Sequence, residues 1–160
     1  MTDIVQGGFT ANKSGKWLEE TIRQQLLLAQ YYELTPEEKK KLIRDDGVLS
    51  TTGKAWFAPQ VRLERNLYDA KYTSDFFIYH ADKFPDGLHI ECKWQASQGS
   101  VDEKYVFTAL SLKKFESPTI LILAGSGARQ GAVKWLKRQN SNKFTFMRLD
   151  EFILWAQKEL

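Results

Sequence analysis

Four side chains define the chemistry open to this chain. Asp75 lies in Tyr72-Thr73-Ser74-Asp75-Phe76-Phe77-Ile78-Tyr79, and after a turn Glu91, Lys93 and Gln95 lie in Gly87-Leu88-His89-Ile90-Glu91-Cys92-Lys93-Trp94-Gln95. Both runs read as neighbouring β-strands, in which successive side chains alternate between faces. Leu88, Ile90, Cys92 and Trp94 then point to the core, while His89, Glu91, Lys93 and Gln95 share the opposite face. Two carboxylates with an ammonium and an amide on one surface are the equipment for metal-assisted phosphodiester hydrolysis. A carboxylate and an ammonium on a strand that flanks the interior carry a desolvation cost, so they need a partner or a task.

An acid followed two positions later by lysine is a cheap pattern by itself. It recurs at Glu37/Lys39, Glu38/Lys40, Asp69/Lys71 and Asp102/Lys104. Context separates these matches. Thr35 and Glu38 form a capping box that starts an exposed polar helix, and Ser100 to Glu103 form a second one ahead of an apolar helix. Only Glu91-Cys92-Lys93 lies inside a strand-like run.

The elements that must hold these residues follow from periodicity. Ser14 to Gln30 is predicted as a helix capped by Ser14, with Leu18, Ile22, Leu26 and Ala29 on its apolar stripe and Glu19 beside it. Leu34 to Arg44 is a polar helix ended by Asp45-Asp46-Gly47, followed by a loop at Ser50-Thr51-Thr52-Gly53. Phe57 to Tyr68 is the first strand, with Val61, Leu63 and Leu67 alternating against Arg62, Glu64 and Asn66. Thr73 to Tyr79 is the second, Asp82 to Gly87 the hairpin turn, and Leu88 to Gln95 the third. A helix over Val101 to Phe115 with Val106, Ala109, Leu110 and Leu112 on its apolar face comes next. Thr119 to Ala124 is apolar throughout, the mark of a strand buried on both faces. After Gly125-Ser126-Gly127 follow a helix from Gln130 to Gln139, a strand from Lys143 to Arg148 and a helix from Asp150 to Lys158. The order predicts an α/β protein whose helices cover a mixed sheet.

Composition narrows the function classes. The 160 residues suit one domain, with no proline- or glycine-rich linker to divide them, and 42% hydrophobic residues supply a core. The start Met1 to Gly8 has neither a basic stretch nor a long apolar run, so a soluble, cytoplasmic protein without membrane contact is expected. One cysteine, Cys92, excludes an internal disulfide and a cysteine-based zinc site. With only His80 and His89 in addition, a metal site must be built mostly from carboxylates, which favours magnesium or manganese. A net charge of +3 suits a nucleic-acid partner. Lys104, Lys113, Lys114, Lys134, Lys137 and Arg138 read as solvated helix faces that can also meet phosphates. Gly125-Ser126-Gly127 lacks the Walker pattern, so no nucleotide cofactor is expected.

Asp75 on the second strand, Glu91-Cys92-Lys93 on the third and Gln95 beyond them resemble the PD-(D/E)XK nuclease superfamily, which includes restriction endonucleases and Holliday junction resolvases. The element order extends the resemblance from the helix of Glu19 to the strand of Phe144. Ser74 stands where the name-giving proline would be, a position that supplies no metal ligand. The resemblance implies a restriction-endonuclease-like three-layer α/β/α core with a mixed β-sheet, spanning residues 1–160 as one domain. It also implies Mg²⁺, with Mn²⁺ able to substitute, held by Asp75 and Glu91 with the Cys92 backbone carbonyl. Lys93 would orient or deprotonate the attacking water or stabilise the transition state, and Gln95 would touch water or substrate. Glu19, with Glu20 as competitor, would be the added acidic residue from the first helix, and His89 a further contributor. DNA is the implied partner, and double-strand cutting implies a homodimer. A non-catalytic DNA-binding or assembly module on the same fold is the competing class, and Mn²⁺ binding dependent on Asp75 and Glu91 distinguishes the two.

Overall fold

Alternation of apolar residues between residues 56 and 94 is realised as three consecutive antiparallel strands. The structure is a computed structural model and describes residues 3–44, 53–99 and 102–160. Its elements are α1 (Asp3–Leu28), β1 (Tyr32–Glu33), α2 (Pro36–Arg44), β2 (Trp56–Arg65), β3 (Lys71–His80), β4 (Phe84–Trp94), α3 (Asp102–Lys114), β5 (Thr119–Ala124), α4 (Gln130–Arg138), β6 (Phe144–Arg148) and α5 (Leu149–Glu159). They form one mixed six-stranded sheet in the order β1-β2-β3-β4-β5-β6. The β2–β3 and β3–β4 pairs are antiparallel, whereas β1–β2, β4–β5 and β5–β6 are parallel.

Helices cover both faces, and β5 shows why. All six of its residues are buried. Ile120 and Ile122 turn to a core built with Leu18, Ile22 and Leu26 of α1 and Phe152 and Ala156 of α5. Leu121 and Leu123 turn the other way, to Tyr105, Ala109 and Leu112 of α3 and Leu136 of α4. A three-layer α/β/α core results. Leu42 of α2 adds a smaller cluster with Trp56, Ala58, Val61, Phe77 and Tyr79. Leu18, Ile22 and Leu26 are fully buried, each contributing about 2 kcal/mol of apolar transfer energy, and this stripe fixes the rotation of α1. Glu19 therefore lies at the edge of the packed face and Glu20 toward solvent.

Several expectations change. α1 begins at Asp3, so Ser14 lies inside the helix and cannot cap it. The buried stripe of α3 runs through Tyr105, Ala109 and Leu112, with Thr108 and Ser111 beside it. The large Tyr105 ring displaces the predicted face, and Val106 and Leu110 stay 42% and 39% exposed. The two-residue β1 carries too little pattern to be seen in sequence, and Leu67 falls beyond β2. At α2 the capping box is present: Glu38 N–H donates to Thr35 Oγ1 at 3.3 Å and Thr35 N–H to Glu38 Oε2 at 2.8 Å. The predicted stop at Asp45-Asp46-Gly47, the loop residues Ser50 to Thr52, and Ser100 and Val101 of the second capping box lie outside the described residues.

The Gly125-Ser126-Gly127 turn has a packing reason. Gly125 has φ +87°, and a Cβ there would sit 2.2 Å from the Gln95 carbonyl oxygen. Gly127 N–H donates to that same oxygen at 2.9 Å. The turn thus presses the end of β5 against the residues that follow β4. Gly125→Ala is expected to cost about 2 kcal/mol or more, from left-handed backbone and backbone overlap together. Gly131→Ala, where a Cβ meets nothing within 4 Å, is the control. Equal urea midpoints for the two variants would contradict this reading.

Candidate active site

The candidate site begins where β3 and β4 part. Their pairing reaches Phe76↔Ile90, whereas β4 continues beside β5 as far as Trp94↔Ala124. At the parting, the Asp75 carboxylate takes the place of a backbone acceptor: Cys92 N–H donates to Asp75 Oδ2 at 2.7 Å. The N–H and C=O of a strand residue point to the same side, so the Cys92 carbonyl faces this gap as well. One side chain both ends the ladder and lines the opening.

Glu91 sits at the bottom of the gap, only 4% exposed. Its Oε1 accepts a hydrogen bond from Lys93 Nζ at 2.6 Å, and its Oε2 is buried with no hydrogen-bond partner among the described residues. Burial pushes the Glu91 carboxyl up to about 7, with Asp75 adding repulsion and Lys93 opposing both. Burial also raises Asp75, against the Cys92 N–H and Lys93. For Lys93, burial acts downward, but the charges of Glu91 and Asp75 outweigh it and hold the ammonium above its ordinary value. Lys93 is therefore a cation in this state, not a free base. The Tyr72 phenol, raised by burial and by the nearby Glu91 charge, closes one side.

Glu19 reaches the site through an intermediary. Gln60 Nε2 donates to Asp75 Oδ1 at 3.3 Å and to Glu19 Oε2 at 3.5 Å. Burial and the Asp75 charge raise the Glu19 carboxyl, with Lys93 and Lys16 opposing them. Glu20 instead bonds Gln24 at 2.7 Å and Arg23 at 3.3 Å on the outer side of α1. The geometry selects Glu19 over Glu20 as the helix carboxylate nearest Asp75. Gln60 is the residue that sequence reasoning missed. It holds φ +53° next to Pro59 inside β2, and Lys39 Nζ fixes the bend by donating to Pro59 O at 2.9 Å. A proline in a strand run marks such an irregularity, and that was the available signal.

Gln95 and His89 do not join the group, despite correct strand parity. Gln95 is buried, its Oε1 accepting from the Tyr105 hydroxyl and its Nε2 donating to Ser97 O at 3.1 Å and Asp102 Oδ1 at 3.5 Å. It ties the end of β4 to α3. His89 is enclosed between Phe77 and Phe115, with ring centroids 4.6 and 5.1 Å away. Its Nδ1 lies 2.7 Å from Ser74 Oγ, and burial pushes its pKa down to about 3, leaving it neutral. Ser74 also donates to Val61 O at 3.3 Å. The hydroxyl at the proline position thus belongs to a buried structural network.

The donor set fits a hard divalent cation. Asp75, Glu91 and the Cys92 carbonyl are neighbouring oxygen donors: Asp75 accepts from the Cys92 N–H, its charge acts on Glu91, and Glu91 Oε2 is buried without a hydrogen-bond partner among the described residues. Among the described residues no three His, Cys, Asp or Glu side chains group closely enough to hold an ion by themselves. Magnesium does not require that, since one or two carboxylates, waters and substrate phosphate usually complete its shell.

No helix among the described residues is long and apolar enough to cross a membrane. A family model for a PD-(D/E)XK nuclease superfamily domain matches residues 10–160, a stretch that contains every residue of this site. No curated protein and no solved structure gives a match.

Proposed function

The chain belongs to the PD-(D/E)XK nuclease superfamily, whose members generally use divalent metal ions, and we propose that it is a Mg²⁺-dependent DNA endonuclease, with Mn²⁺ able to substitute. The observation that carries this reading is the unpartnered, buried Glu91 Oε2 facing the same gap as Asp75, with the Lys93 ammonium 2.6 Å from the other Glu91 oxygen. Asp75, Glu91 and the Cys92 carbonyl would hold the cation. Bound there, it would neutralise phosphate charge and acidify water, whose bulk pKa is ~15.7.

The remaining work falls to the chain. Asp75 keeps its orientation through the Cys92 N–H and Gln60. Lys93, charged and half-exposed, donates to an oxygen of the phosphate or of the attacking water, where negative charge grows in the transition state. Glu19 orients water on the side of the gap that Gln60 bridges. Gln95 holds β4 against α3 and so sets the direction in which Lys93 leaves the strand. Cutting both strands of a duplex takes two such centres, so a pair of chains acting on one DNA is expected.

Incubation of the protein with duplex, single-stranded and branched DNA, with Mg²⁺, Mn²⁺ or chelator, tests the proposal. Cleavage should require the cation, and no cleavage of any substrate would refute it. Within the same assay, Glu19→Gln should lower the rate about tenfold or more, and Glu20→Gln should change it less than about twofold. Equal effects would remove Glu19 from the site.

A further inference from the structure

Beside the candidate site lies an open cleft of about 650 Å³, lined by Lys93, Glu103, Lys104, Tyr105, Phe107 and Tyr68. Lys93 belongs to both, so whatever enters the cleft is next to the gap between Asp75 and Glu91. Its outer wall is an aromatic pair: the Tyr68 and Phe107 ring centroids are 5.2 Å apart at 34°. Tyr68 is 81% exposed, an unusual place for a large ring in a folded chain.

The turn that carries Tyr68 is held firmly. Asn66 Oδ1 accepts from Tyr68 N–H at 2.9 Å and Ala70 N–H at 3.1 Å. Asp69, at φ +58°, bonds Lys114 Nζ of α3 at 2.8 Å. Leu67 N–H donates to Ser111 Oγ of α3 at 3.4 Å. The chain therefore fixes the backbone beneath a ring that it leaves in solvent. A ring presented this way loses little entropy when something stacks on it.

We propose that this cleft seats the base of an unpaired nucleotide beside the scissile phosphate, so that the substrate is DNA with a single-stranded segment at the cut. This deepens the nuclease reading above and rests on it for the position of the cut. Two cations, Lys93 and Lys104, against one carboxylate, Glu103, with aromatic faces between them, form the combination that binds single strands: charge for the backbone and π-faces for bases. In a duplex both faces of each base are covered by its neighbours, and a side chain such as Tyr68 has no face to stack on. An unpaired base does offer one. The volume accommodates a nucleobase with room for its sugar.

Binding in chelator separates this inference from catalysis. Fluorescence anisotropy with a labelled single-stranded oligonucleotide and its duplex gives the ratio of the two affinities. Tyr68→Ala should lower the single-strand to duplex ratio about tenfold, and Tyr68→Phe, which keeps the ring, less than about threefold. An unchanged ratio in Tyr68→Ala, or an equal loss in Tyr68→Phe, overturns the stacking role. A protein that shows the expected ratios yet cuts no DNA with Mg²⁺ or Mn²⁺ refutes the nuclease reading and leaves the cleft's ligand class standing.

Discussion

Asp75→Asn should lower cleavage by on the order of 10³-fold while making the metal-free protein more stable at pH 8. The two effects have one cause. Burial holds the Asp75 carboxyl above its ordinary value, against the Cys92 N–H, the Lys93 charge and Gln60. A raised acid binds its proton more tightly in the folded chain than in the unfolded one. Its stabilising contribution is present below the ordinary value of 3.8 and is lost as pH rises through the folded value. At pH 8 the wild type therefore carries an ionised, poorly solvated group. Asparagine keeps an oxygen for the Cys92 N–H, and the exposed Gln60 amide can turn over to match the new NH₂ group. The gain should be about 1 kcal/mol, or roughly 3 °C in Tm, and should shrink at low pH. Thermal melts in chelator at pH 8 and pH 4 check it, and a variant less stable than wild type at pH 8 would show that Asp75 is a structural hydrogen-bond acceptor and not a strained ligand.

Lys93→Ala should separate holding the cation from doing the chemistry. Cleavage should fall about 10³-fold, because the charge that meets the developing negative oxygen is gone. Affinity for Mn²⁺ should stay the same or rise, since the ammonium 2.6 Å from Glu91 Oε1 competes electrostatically with a dication for that carboxylate. The metal-free variant takes the Lys93 hydrogen bond from Glu91 and leaves the Tyr72 hydroxyl beside it, at a cost of about 1–3 kcal/mol in stability. That cost should ease below pH 7, where Glu91 takes up a proton. Added Mn²⁺ should restore much of the lost Tm. A Lys93→Ala protein with weakened Mn²⁺ binding would instead make Lys93 an organiser of the carboxylates.

The parts of this site legible in sequence are those governed by period two. Glu91 and Lys93 share a face because side chains on a strand alternate, and the apolar run of β5 announced burial on both sides. The capping box at Thr35 and Glu38 is equally local, and it is present. Other features depend on contacts distant in sequence. Gln95 has the right parity, yet Tyr105, ten residues on, captures its amide across the β4–α3 junction. Glu19 and Glu20 are neighbours in sequence, and only the packed stripe of α1 decides which one meets Gln60. Gln60 enters through a bend in β2 secured by Lys39 from α2, twenty-one residues away. On α3, Val106 and Leu110 match an apolar spacing in sequence, but the buried face in the fold belongs to Tyr105.

The proposed cation site is the gap between Asp75, Glu91 and the Cys92 carbonyl. Calorimetric titration of Mn²⁺ into the wild type and into Glu91→Gln tests it most directly. One saturable site per chain is expected in the wild type, with a loss of at least about tenfold in affinity when the unpartnered Glu91 oxygen no longer carries charge. A wild type that binds no Mn²⁺, or a Glu91→Gln protein that binds it as tightly, would contradict the assignment.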